Sequence, residues 1–156
     1  MKARVYLETS VVSYLTAPPS RDLIVAAHQQ ITHEWWRTQR PSFDLVVSPY
    51  VLMEARQGDP RMAARRMKIL SAFPVLEETG DILRLAEQYR KTLHLPQPKA
   101  LDASHLAAAS WHGVDYLLTW NCKHIASVQV RRALLTVNLR LGLPIPGLCT
   151  PEELEA

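Results

Sequence analysis

The chain has 156 residues, 47% of them hydrophobic and 21% charged. That is the size of one domain, residues 1–156, with too much apolar content for disorder and enough length to bury a core without staples. Its net charge of +3 is too small to establish a nucleic-acid partner, although 13 of its 18 cations are arginine, whose planar fork grips phosphate at two points; an arginine-rich background composition accounts for that count equally well.

In chain order, Ala3–Leu7 alternates and is rich in β-formers, so it reads as a first strand ending at Glu8. Thr9 or Ser10 caps a short helix, Val11–Leu15, which Pro18-Pro19 ends. Ser20 caps a longer helix to about Arg37, with Leu23, Ala26, Ala27, Ile31 and Trp35 along one stripe. Phe43–Val47 is a continuous apolar strand, as in a sheet covered on both faces. Ser48-Pro49 starts a helix that Gly58 ends, and Asp59-Pro60 starts another to about Phe73. Val75-Leu76 is a short strand candidate. Ile82–Leu93 is helical until Pro96-Gln97-Pro98, the expected mobile loop. Ala100–Trp111 is an alanine-rich helix ended by Gly113, and Asp115–Thr119 is the next strand. Val128–Leu141 is helical, Ile145–Leu148 a last strand, and Thr150-Pro151-Glu152-Glu153 opens a terminal helix.

Strands alternating with helices imply parallel pairing and right-handed crossovers. The expected fold is a three-layer α/β/α sandwich around a parallel sheet, with ligands outside the carboxyl ends of the strands. Two cysteines make no disulfide framework. No apolar run approaches the roughly 20 residues of a membrane span, and the first residues lack a signal-peptide core. The expectation is a cytoplasmic protein without a membrane partner.

The five glycines form neither a dinucleotide nor a phosphate-binding loop, and no zinc-ligand spacing is present. The chemistry then rests on acids after a strand and on the helices that flank the sheet. Glu8 follows the first strand. Glu54 lies near the start of the helix after the second. Asp102 is in the first turns of the alanine-rich helix, and Asn121 follows Tyr116–Thr119. If the first strand is central beside Tyr116–Thr119, these four meet at one sheet edge. Converging carboxylates repel one another without a cation, and hard oxygen donors suit Mg²⁺ or Mn²⁺. That is the chemistry of metal-dependent phosphodiester hydrolysis. Singly, each residue also has an ordinary role as a cap, a solvated helix acid or a turn residue.

Four segments in order, Val5-Tyr6-Leu7-Glu8-Thr9-Ser10, Val47 through Glu54, Leu101 through Ala109, and Tyr116 through Asn121, resemble the PIN domain, most closely the VapC-type toxins of toxin–antitoxin pairs. The resemblance implies a ribonuclease site in which Glu8, Glu54 and Asp102 ligate metal and Asn121 stands where many members carry a fourth acid. It also implies that the Thr119 hydroxyl supports the site. Its partners would be an RNA substrate, a cognate antitoxin and a second copy of the chain. Glu8 is one methylene longer than the family's usual Asp, and Asn121 is neutral. Lys123 and His124 beside the site, and Arg61 and Arg65 one turn apart on a helix with Arg66, complete the substrate-binding set with Thr119. Lys99 and His105 flank the site and are expected to meet phosphate or the leaving group. The second expectation is a non-catalytic RNA- or protein-binding module on the same fold. A phosphoacceptor receiver domain needs an Asp after a central third strand, which Val75–Thr79 lacks.

Overall fold

The computed structural model describes residues 1–156, except for the side chain of Pro98. Four parallel strands, β1 (Arg4–Leu7), β2 (Asp44–Val46), β3 (Tyr116–Leu118) and β4 (Gly147–Cys149), lie in the order β2-β1-β3-β4. Seven helices flank the sheet: α1 (Thr9–Thr16), α2 (Leu23–Thr38), α3 (Pro49–Ala55), α4 (Pro60–Leu70), α5 (Gly80–Thr92), α6 (Ala100–Trp111) and α7 (Val128–Leu141). This is the expected α/β/α sandwich around a parallel sheet.

Register follows the apolar pattern. Val5 pairs with Leu45 and Tyr116, and Leu7 with Leu118. Chain order jumps from β2 on one side of β1 to β3 on the other, so the gap between β1 and β3 is the switch point, where ligands of open parallel sheets bind. Val5, Tyr6, Leu7, Leu117 and Leu118 have no exposed surface; burying each such side chain contributes about 1.5–3 kcal/mol. Helix α6 packs against β3 with Ala103, Ala107, Ala108 and Ala109 all buried. Alanine has the best helix propensity and a small side chain, so the helix lies close to the sheet. Gly147 opens β4 where a Cβ would stand 2.9 Å from Tyr116 Cδ1, so this register needs a glycine.

Several local readings are corrected. Helix α1 is capped by Glu8, and α2 by Asp22, whose Oδ1 accepts from the Ile24 and Val25 amides. The buried residues of α2 are Gln29, Thr32 and Trp35, while Leu23 is exposed; of the expected stripe only Trp35 is buried, because the helix turns a different face to α1. Val75 makes one isolated bridge to Val47, and no strand forms there. Thr150–Glu153 is a turn, although Glu153 Oε1 caps the Thr150 amide as a helix start would. Gln97–Lys99 forms a single 3-10 turn; the mobility expected around Pro98 lies outside the described residues. No described helix is long and apolar enough to cross a membrane.

Candidate active site

Glu8 leaves the end of β1 with its amide still in the ladder, donating to Leu118 O at 3.1 Å. The chain then turns into α1, and the Glu8 carboxylate folds back as that helix's cap. Its Oε2 accepts from the Ser10 amide at 3.1 Å; its Oε1 accepts from the Ser10 hydroxyl and, at 2.5 Å, from Thr119 Oγ1. The extra methylene relative to Asp carries the carboxylate across to Thr119 at the end of β3. Ser10 Oγ accepts in turn from the Trp120 amide, and Thr119 Oγ1 from the Asn121 amide. The start of α1 is thereby stitched to the end of β3. Thr119, expected against substrate, is fully buried and holds Glu8 instead.

Glu54 is the next-to-last residue of α3, at the opposite end of the helix from the one expected. Its Oε1 accepts from Thr9 Oγ1 at 2.8 Å and from His105 Nε2 at 2.5 Å. His105 has no exposed surface, so it is not the phosphate contact its position in the sequence suggested. Its Nδ1 lies 2.6 Å from the Tyr6 hydroxyl, itself 2.6 Å from Ser48 Oγ. With Glu54 ionised, Nε2 must donate, and the neutral ring then accepts from Tyr6 at Nδ1. Burial raises the cost of charge on both partners. The His105 bond and charge nevertheless hold Glu54 below the usual carboxylate range, and the surrounding carboxylates lift His105 above its ordinary value.

Glu8, Glu54 and His105 each place one ligand-type atom within 4.8 Å of the others. Asp102 is not one of this trio. It is buried in the first turn of α6, one helical turn before His105. Its Oδ1 accepts from Asn121 Nδ2 at 3.2 Å, a bond that needs the neutral amide at position 121. Its Oδ2 is buried with no hydrogen-bond partner, the one such side-chain atom among the described residues. Burial and the Glu8 charge raise its pKa, while His105, His124 and Lys99 oppose the shift. A lone buried carboxylate oxygen is costly unless paired or bound to metal. Asp102 Oδ2 is a hard oxygen of the kind Mg²⁺ or Mn²⁺ prefers, buried without a partner and within reach of the Glu8 charge, so the residues fit a divalent cation at this oxygen.

No family model and no curated protein sequence matches the chain. Solved structures do. A toxin–antitoxin complex from Klebsiella pneumoniae superposes with a TM-score of 0.60 at 20% identity, covering 97% of this chain and 99% of that one. VapBC2 from Rickettsia felis, bound to a promoter DNA fragment, gives 0.58 at 13% identity over 94% and 98%. VapC20 from Mycobacterium tuberculosis, described as a sarcin–ricin loop cleaving toxin, gives 0.52 at 20% identity over 72% and 86%. The chain has the PIN-domain fold of VapC-type toxins.

Within this PIN fold the remaining candidates separate. Asn121 organises the β3–α7 loop: its Oδ1 accepts from the His124 amide at 2.9 Å and its backbone oxygen from Ile125 and Ala126. Lys123 is exposed and His124 half-buried on that loop. Arg61 and Arg65 are exposed on α4, which packs on α1 and α3. Arg66 is not part of their ridge, because its guanidinium donates to Ala55 O and Gln57 O and closes the end of α3. The sequence reading missed Tyr6, Thr9, Ser10 and Ser48. The Asp102–His105 spacing of three was the available signal that both face the same way; Tyr6 and Ser48 carried none, since each also reads as strand or cap.

Proposed function

We propose that the chain is a metal-dependent endoribonuclease, the toxin of a toxin–antitoxin pair, acting in the cytoplasm on RNA. The observation that carries this reading is the orphaned Asp102 Oδ2, close enough to feel the Glu8 charge, at the sheet's switch point. The likeness to toxin–antitoxin complexes and to a sarcin–ricin loop cleaving toxin supports the choice of RNA and of an antitoxin partner.

Glu8, Glu54 and Asp102 would hold Mg²⁺ or Mn²⁺, which supplies Lewis acidity toward a phosphoryl oxygen and a water of lowered pKa. The chain's own residues supply position. Thr119 and Ser10 fix the Glu8 carboxylate. Thr9 and His105 fix Glu54 at Oε1. The buried relay of Ser48, Tyr6 and His105 keeps the imidazole from rotating and keeps Nε2 donating. Asn121 aims Asp102 and holds the loop on which Lys123 and His124 meet the RNA backbone. Cleavage of RNA by the purified chain should require Mg²⁺ or Mn²⁺, stop with chelator, and fall roughly a thousandfold in Asp102→Asn. Undiminished cleavage by that variant overturns the assignment.

One observation favours the second reading, a non-catalytic binding module: Glu8 and Glu54 already have protein donors at Oε1. A calorimetric titration showing no Mn²⁺ uptake with RNA binding intact would select it.

A further inference from the structure

Next to the acids, the turn Leu93–Leu95 after α5 and the loop after β3 enclose a cavity of ≈ 200 Å³. Leu93, Leu95 and Val130 give it an apolar floor, and Lys123, His124 and Gln129 stand at its mouth with Ser127, the cap of α7. It joins the acid site through two hydrogen bonds: His124 N to Asn121 Oδ1, and Asn121 Nδ2 to Asp102 Oδ1. Neither Lys123 nor His124 forms an ion pair with a carboxylate among the described residues. Between the lining residues Leu93 and Leu95 lies the one described non-glycine residue of positive φ, His94 at +53°. That conformation costs roughly 1–2 kcal/mol outside glycine. It is held by Leu95 N donating to Arg90 O at 2.9 Å and Arg90 Nη1 donating to Leu95 O at 3.3 Å. The strained turn places two leucines in the wall of an open cavity.

We propose that this cavity is a nucleobase subsite, taking the base of the RNA residue next to the bond that is cut. The inference rests on the ribonuclease reading and adds a source of sequence preference to it. The volume is below the roughly 300–1,000 Å³ of pockets for drug-sized ligands and leaves room for one flat ring system. A base has apolar faces and a polar edge, which matches aliphatic walls with an amide at the lip. The amide of Gln129 offers both a donor and an acceptor to that edge. Lys123 and His124 face the charge of the adjoining phosphate. Single-stranded RNA is read in this way, with bases splayed out of the stack and recognised at their edges. The two kinds of contact divide the work: Lys123 and His124 position the strand, and Gln129 with the floor specifies the base.

The test uses the full chain. A randomised RNA pool is cut by wild type, Gln129→Ala, Val130→Phe and Lys123→Ala, and the ends are sequenced. Gln129→Ala should shrink the preference at one position beside the cut by about tenfold. Val130→Phe, which fills the cavity, should erase that preference, and Lys123→Ala should slow all sequences alike. Should Val130→Phe fail to fold, Gln129→Ala carries the test. In parallel, each of the four nucleoside 5′-monophosphates is added to metal-free protein while the Leu93, Leu95 and Val130 methyl resonances are followed. Shifts at those methyls support the subsite even if no RNA is cut, in which case only the nuclease reading falls. RNA cleavage with unchanged preference in Gln129→Ala and in any folded Val130→Phe overturns the subsite and leaves the nuclease reading standing. Silent methyls with all four nucleotides also overturn it.

Discussion

The two sides of the acid site satisfy their carboxylates differently. On the side built by β1, α1 and α3, Glu8 and Glu54 are met by Ser10, Thr119, Thr9 and His105, and Glu54 is driven toward ionisation. On the side built by α6 and the β3–α7 loop, Asp102 has Asn121 at one oxygen and nothing at the other, and burial drives it toward protonation. Glu54, with 28% of its side chain exposed, has two donors on one oxygen, whereas buried Asp102 has one donor for two oxygens, so fewer donors and greater depth act together on Asp102. On the first side protein donors meet the carboxylates; on the second, Asp102 Oδ2 has none.

Removing the unpaired side should have the largest effect on activity. Metal-assisted stabilisation amounts to several kcal/mol, and about 1.4 kcal/mol is tenfold. Asp102→Asn should therefore cut RNA roughly a thousandfold more slowly in a gel or fluorescence assay, yet melt no earlier than wild type in chelator, because a buried unpaired charge has gone. Breaking the paired side should act on stability instead. His105→Ala leaves Glu54 without its main partner and should cost about 3 kcal/mol in urea unfolding. Tyr6→Phe, which deprives both His105 Nδ1 and Ser48 Oγ of a hydroxyl, should cost about 1–2 kcal/mol.

Asn121→Asp tests the contrast itself by setting a second carboxylate 3.2 Å from Asp102 Oδ1. Metal-free, the variant should lose about 1–2 kcal/mol through like-charge repulsion; with Mn²⁺ its melting temperature should rise more than that of wild type. A variant that melts like wild type in both states removes the link between Asn121 and Asp102.

The smallest effect is the pH dependence in chelator. Glu54 is lowered, so its contribution is present above its ordinary value and fades as pH falls through the folded one. His105 is raised, so its contribution is complete below about 6.5 and fades as pH rises through the folded value. Raised Asp102 has the opposite sign to Glu54, favouring the fold where it is protonated. Metal-free stability should therefore decline on the alkaline side as His105 deprotonates, and the decline should be absent in His105→Gln. Chemical denaturation across pH measures both.

Helices α6 and α7 were legible to the residue because alanine propensity and apolar period there agree with their burial, and Gly142 ends α7 in the left-handed conformation. Helix α2 misled because its apolar residues were read as a stripe while polar Gln29 and Thr32 pack inward with bonds to Pro18 O, Ser20 N, His28 O and Trp120 Nε1. Glu8 was legible as a residue that follows a strand, and Glu54 and Asp102 as acids on flanking helices. Their pairing was not, since Glu54 meets His105 across 51 positions and Glu8 meets Thr119 across 111.

Local chemistry alone therefore determined the alternation of strands and helices, the parallel sheet, and Glu8, Glu54 and Asp102 as the candidate carboxylates, because periodicity and capping act over a few neighbouring residues. Only the tertiary structure decided which of those carboxylates are held by the protein and which is left with an open oxygen. That depends on hydroxyls and one imidazole arriving from distant segments, and a buried polar group is satisfied by whatever the fold sets within 3 Å of it, not by what lies next to it in the chain.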